Sequence, residues 1–198
     1  MLHALNGFFA RHDGIEDPVV AYVSASQVLF AALLVVLFVG DRGLAGRAAR
    51  RGAVAAGVSA ALALVIAQVV SHLVDRSRPF ASDPSGVHLF SAHGADPGFP
   101  SDHATAAFAI AIAILLRSRR WGLLAVTMAT ILAVARVAMG VHYPSDVIAG
   151  AALGSATALA LWWAPIRGPL HAIADRAGAA LEALVDVVAD RVRPAGRA

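Results

Sequence analysis

Apolar runs long enough to cross a bilayer alternate with short polar or arginine-bearing stretches along most of this 198-residue chain. A spanning helix needs roughly 17–25 apolar residues, because the hydrocarbon core is about 30 Å thick. Val19–Val39, Ala53–Val74, Trp121–Met139 and Val147–Trp163 reach that length. Ala104–Leu116 makes a fifth, shorter run, which works as a span only if its polar start at Ser101–His103 lies at the interface. The pattern predicts an all-α integral membrane bundle of about five transmembrane spans, and its many glycines and alanines suit close helix packing in lipid. Ahead of the first span, Leu2, Leu5, Phe8 and Phe9 predict an interfacial segment with apolar side chains toward lipid. That segment lacks the charged start and small-residue cleavage site of a signal peptide. Beyond the last span, Leu170, Ala174, Ala177, Leu181, Leu184 and Val188 recur at steps of three and four, which predicts an amphipathic helix over Pro169–Arg193. The chain thus divides into a membrane domain, 1–165, and a tail, 166–198. A tail lying on the membrane surface or folded against the bundle is the plainer reading, and a homodimer through this helix is the other.

Composition agrees with the periodicity. The chain is 59% hydrophobic and 15% charged, against about 45–50% and about 25% for soluble domains, and its mean hydropathy is +0.70. Cysteine is absent, which excludes disulfides and thiolate metal sites. All 16 basic residues are arginine, and their distribution predicts orientation. Arg42, Arg47, Arg50 and Arg51 follow the first span, Arg117, Arg119 and Arg120 follow the third, and Arg167, Arg176, Arg191, Arg193 and Arg197 lie in the tail. With five alternating spans these twelve share one side, leaving Arg11, Arg76, Arg78 and Arg136 on the other. The positive-inside rule makes the richer side cytoplasmic, so the chain starts outside and ends inside. The net charge of +3 therefore reads as topology and not as nucleic-acid binding.

Three places break the apolar pattern with chemistry, and the predicted topology puts all of them at the extracytoplasmic mouth. They are "DRSRPF" (75–80), "PSDH" (100–103) and "ARVAMGVHYPSD" (135–146). Arg78 and Arg136 offer planar guanidinium forks that match phosphate oxygens. Ser101 and Asp102 stand where a helix N-cap belongs, and the amides of such a helix start favour anions. His103 and His142 can carry protons or attack near neutral pH, and Asp146, four residues after His142, can orient that ring. This set points to phosphoryl transfer through a phosphohistidine.

These residues resemble the type 2 phosphatidic acid phosphatase family, whose signature is K-x6-R-P, P-S-G-H and S-R-x5-H-x3-D. The third part matches as Arg136, His142 and Asp146, with Ala135 replacing serine. The second reads Pro100-Ser101-Asp102-His103, a variant similar to bacterial undecaprenyl-diphosphate phosphatases. The first keeps Arg78-Pro79, but its lysine falls on Ser71. The resemblance implies His142 as nucleophile, Asp146 as its orienting partner, and His103 as acid and then base. It implies Arg78, Arg136 and Ser101 as phosphate ligands, and no cofactor or metal ion. It also implies a bacterial cytoplasmic-membrane enzyme cleaving undecaprenyl diphosphate, with phosphatidylglycerophosphate or phosphatidic acid as the alternative substrates. For the absent lysine, Arg76 is the expected phosphate-binding substitute and His72 a second candidate. Asp102 reads as a helix cap or as a determinant of diphosphate preference.

The remaining polar residues have plainer readings. His88, His93 and Asp96 are expected to be solvated or substrate-access residues of a Gly- and Pro-rich outer loop. Trp121, Trp162 and Trp163 read as interfacial anchors. A lipid or anion transporter is the alternative from another class, but the charges gather at one mouth and no inverted repeat is evident.

Overall fold

The computed structural model describes residues 1–40 and 43–192, so Arg42, Arg193 and Arg197 lie outside the described residues. The chain forms eight helices there: α1 (Leu2–Ala10), α2 (Asp13–Val39), α3 (Gly43–Val74), α4 (Pro79–Ser82), α5 (Asp102–Leu115), α6 (Arg119–Ala138), α7 (Pro144–Trp162) and α8 (Ala164–Val192). Four of them, α2, α3, α6 and α7, are long and apolar enough to cross a membrane. Val28, Val35, Val65, Val69, Ile148 and Leu159 on these helices stay exposed. Such an apolar outer surface belongs in lipid.

The fifth expected span, α5, has 14 residues and is only about 21 Å long at 1.5 Å per residue. It is short because its place is central. Ala104, Thr105, Ala107, Ala109, Ile110, Ala111, Ala113 and Ile114 are all buried, packed by α3, α6 and α7. Two glycines of α7 permit the closest approach. A Cβ at Gly150 would stand 2.6 Å from the Ser101 carbonyl oxygen, and one at Gly154 would stand 2.2 Å from that of Thr105. Small residues one turn apart thus seat the α7 backbone directly against the polar start of α5.

The two ends of the bundle gather different segments. At one end Arg50 pairs with Glu182 at 2.8 Å, Arg51 pairs with Asp175, and the Arg117 and Arg167 guanidiniums both lie over the Trp162 ring. The start of α3, the α5–α6 turn and the tail helix therefore share that end. The tail is helical as expected, with Ala174 and Gly178 buried and Leu184 and Val188 exposed. At the other end α1 does not lie with Leu2 and Leu5 toward lipid. Leu2 is buried in a cluster with Val87 and Val137, and Leu5 packs against that cluster. The cause is Asn6, which is 2% exposed. Its Nδ2 donates to the carbonyls of His88 and Ala138, and its Oδ1 accepts from the His88 amide. Asn6 so ties the outer loop to the end of α6.

Candidate active site

The three polar segments meet at this second end, each placed by a local rule. Arg78 caps α4, where Pro79 occupies the first helical turn without needing an N–H donor. Arg136 lies in the last turn of α6. His142 follows Gly140, whose φ of +76° turns the chain from α6 toward α7. Asp146 closes the start of α7, its Oδ2 accepting the Tyr143 amide at 2.8 Å, with Pro144 again in the first turn. Ser101 caps α5, and its amide donates to the Asp146 carbonyl at 3.0 Å, joining the second motif to the third.

His142 is the centre of the site and is 2% exposed. Its Nδ1 lies 2.9 Å from the Gly98 carbonyl oxygen. A carbonyl can only accept, so Nδ1 carries the proton and Nε2 keeps its lone pair. Nε2 faces two guanidiniums, with Arg78 Nη1 and Arg136 Nη2 each at 3.2 Å. Asp146, fully buried, has Oδ2 3.7 Å from Nδ1. Burial lowers the His142 pKa most; Asp146 opposes that shift and the Arg136 and Arg78 charges add to it, leaving a value of about 4. The ring is therefore neutral at pH 7, with its lone-pair nitrogen between two cations.

These groups open onto a cavity of about 560 Å³. Its head is polar, lined by Arg78, His93, Asp96, Asp102, His103, Arg136 and His142. Away from the head the lining becomes Phe30, Leu34, Ala60, Leu64, Ala107 and Ile110, from α2, α3 and α5. Arg136 Nε is buried without a hydrogen-bond partner. An orphaned guanidinium donor beside such a cavity suits an anionic oxygen. A polar head with two arginines and an apolar shaft between helices fits an amphiphile with a phosphate at one end.

The other expected site residues fall in distinct places. His103 lines the head of the cavity on the first turn of α5. Asp102 lines it too, and its Oδ2 accepts from Gln68 of α3 at 3.0 Å. Ser101 is fully buried, and its hydroxyl caps α5 by facing the Ala104 amide at 3.5 Å. Arg76 does not line the cavity. Its guanidinium lies behind Asp146, with Nη1 donating to Asp146 Oδ1 at 2.8 Å and to Ser145 Oγ at 2.7 Å, and it stacks over the Tyr143 ring. His72 is exposed on the last turn of α3.

Two residues expected to be solvated or substrate-access loop positions line the head of the cavity. His93 Nε2 lies 2.9 Å from Arg136 Nη2. Asp96 takes Arg78 Nη2 on its carboxylate at 2.8 Å and Arg78 Nε on its carbonyl at 3.0 Å. Burial and the two arginine charges lower the His93 pKa. Partial burial pushes Asp96 up, but the Arg78 hydrogen bond and charge outweigh it and hold the carboxyl below its ordinary value. His88 stays outside the cavity, near Glu16. The sequence signal for His93 and Asp96 was only their position between two motifs, since the fold of the intervening loop brings them in.

A family model described as the PAP2 superfamily matches residues 52–167, more than half the chain and all three polar segments of this site. The chain belongs to the PAP2 superfamily. Within it, undecaprenyl-diphosphatase BcrC of Bacillus subtilis is 30% identical over 146 residues, covering 73% of this chain and 72% of that protein. A decaprenylphosphoryl-5-phosphoribose phosphatase of Mycobacterium tuberculosis is 40% identical over 107 residues, 54% of this chain and 57% of the relative. A solved transmembrane PAP2-type phosphatidylglycerolphosphate phosphatase from Bacillus subtilis has a similar fold, with a TM-score of 0.58 over 81% of this chain and 82% of that one at 17% identity. This PAP2 protein is accordingly a helical membrane phosphatase.

Proposed function

We propose that this PAP2 phosphatase hydrolyses undecaprenyl diphosphate to undecaprenyl phosphate and inorganic phosphate, without a metal ion, at the outer face of a bacterial cytoplasmic membrane. One observation carries the reading: the unprotonated Nε2 of a buried histidine lies between two guanidiniums at the head of a cavity whose shaft is apolar. The relatives' polyprenyl substrates support the choice of lipid.

In this reading Arg78 and Arg136 hold the terminal phosphoryl oxygens, which is where positioning and electrostatics do most of the work of phosphoryl transfer. The His142 Nε2 lone pair attacks the terminal phosphorus, and the bond to the bridging oxygen breaks. That oxygen leaves with the lipid phosphate and takes a proton from His103, which enters the step as an imidazolium because the bound diphosphate anion offsets the burial and the Arg136 and Arg78 charges that otherwise hold the ring neutral. Phosphorylated His142 is an imidazolium, whose charge the nearby Asp146 carboxylate stabilises while the Gly98 carbonyl keeps the proton on Nδ1. His103 then accepts a proton from water, the resulting hydroxide attacks phosphorus, and Nε2 is released. The arginine-rich opposite end, with Arg47, Arg50, Arg51, Arg117, Arg119, Arg120, Arg167 and Arg176, supports a cytoplasmic assignment for that end and an extracytoplasmic one for the site.

The test is phosphate release by the purified protein from undecaprenyl diphosphate, phosphatidylglycerophosphate and phosphatidic acid, with EDTA present. The expected result is release from the diphosphate with the highest kcat/KM and no effect of EDTA. Release from none of the three overturns the reading, preference for either phospholipid overturns the substrate, and loss of activity in EDTA overturns metal-free catalysis.

A further inference from the structure

We infer that Arg76 is a positioning residue whose side chain acts on His142 through Asp146, beside a main-chain tie to Gly98, and that it does not bind the phosphate. The inference rests on the reading of His142 as nucleophile. Nδ1 faces the Gly98 carbonyl at 2.9 Å and the Asp146 carboxylate at 3.7 Å. Arg76 holds each of them. Its carbonyl accepts the Gly98 amide at 2.7 Å, and its Nη1 donates to Asp146 Oδ1 at 2.8 Å.

Further contacts fix the side chain that makes this bridge. Nη1 also donates to Ser145 at 2.7 Å, and the guanidinium lies 4.2 Å from the Tyr143 ring centroid. Tyr143, Ser145 and Asp146 all belong to the start of α7, so Arg76 clamps the segment after α3 to the element that carries Asp146. The carboxylate it meets is fully buried while Arg76 itself is only partly covered. A buried carboxylate without a cation is costly, and here the compensating cation comes from outside the phosphate cavity. Arg78, two residues later, points the opposite way and lines the cavity head. Alternate residues of this extended segment thus face the two sides of the His142 ring: Arg78 meets Nε2 and Arg76 backs Nδ1. The Gly98 tie is made by the main chain and survives any side chain at position 76, so the Arg76 side chain acts through Asp146 alone. Because that side chain lies outside the cavity, bonded to Asp146 and Ser145, Arg76 does not simply replace the family lysine that would fall on position 71. It supports the far side of the nucleophile.

A positioning residue and a phosphate ligand give different kinetics. Arg76→Ala should lower kcat on undecaprenyl diphosphate by about 10- to 100-fold, the size found for outer-shell partners that orient metal-ligating histidines. KM and the affinity for orthovanadate should stay within about twofold, since uniform binding is untouched. Arg76→Lys, which keeps a cation able to reach Asp146, should recover part of kcat. Retained vanadate binding also certifies that the alanine variant is folded. A raised KM and weakened vanadate binding with kcat preserved would make Arg76 a phosphate ligand and overturn the inference. Wild-type kinetics in Arg76→Ala, or loss of vanadate binding altogether, would overturn it as well. Full activity in His142→Ala would instead remove the reading beneath it, so the two failures are distinguishable.

Discussion

Arginine meets carboxylate at both ends of this bundle, but only the site end pairs an arginine with a carboxylate wholly out of water, among the described residues. At the tail end Arg51 and Asp175 pair with about a third of each side chain still exposed, and buried Arg50 pairs with a Glu182 that is 43% exposed. At the site end the carboxylate bonded to Arg76 has no exposed surface, and Arg78 and Arg136 are each 5% exposed. Solvated pairs contribute little to stability and are free to serve as topological markers. Charges taken out of water carry a desolvation cost of several kcal/mol per ion, and the Asp146 carboxylate bears it with Arg76 as its compensating cation. What sets the site end apart is therefore the wholly buried Asp146 carboxylate and not the burial of its arginines, since Arg50 at the tail end is also 5% exposed.

Breaking the buried end should have much the larger effect. His142→Ala should lower kcat by on the order of 10⁴-fold or more, as removal of a nucleophile does, while a thermal melt in detergent remains close to wild type. The pH profile sharpens this. Because burial holds the His142 pKa at about 4, the nucleophile stays unprotonated well below the ordinary value of 6.5. Corrected for substrate ionisation, kcat/KM should hold as the pH falls through 6.5 and drop only near 4. An acid limb at 6.5 would place the ring in a solvated setting.

Asp96 lies between the two extremes, at the rim, with its side chain 60% exposed. It occupies an Arg78 donor that a phosphoryl oxygen needs, so Asp96→Ala should lower KM by at most about fivefold, the range of a partly exposed pair. The smallest effect belongs to the tail. Asp175→Ala should reduce stability by about 0.2–1 kcal/mol and leave kcat unchanged. A large loss of activity there would show that the two ends are not independent.

The sequence made the bundle legible because membrane helices announce themselves by length and apolar content. It also made the third motif legible, since His142 and Asp146 are separated by one helical turn and a proline-started helix. Ser101 was readable as a cap for the same local reason. What it hid depends on tertiary placement. His93 and Asp96 sit in a loop without periodicity, held by Asn6 at His88 and by the Arg76 carbonyl at Gly98, and no local pattern predicts either tie. Arg76 and Arg78 are two residues apart and chemically alike. Only the fold shows that one lines the cavity while the other backs Asp146. Leu2 and Leu5 looked like lipid-facing residues because their inward anchor, Asn6, bonds to positions 82 and 132 residues away.

The central claim is covalent capture of phosphate by His142, and trapping tests it most directly. Undecaprenyl diphosphate labelled in its terminal phosphate is mixed with His103→Asn protein, in which water attack is slowed, and quenched without acid. The account predicts an acid-labile, base-stable phosphoryl group on His142 that is absent from the His142→Ala variant. Turnover that releases labelled phosphate at wild-type rates, with no label on the protein at any time, would contradict it.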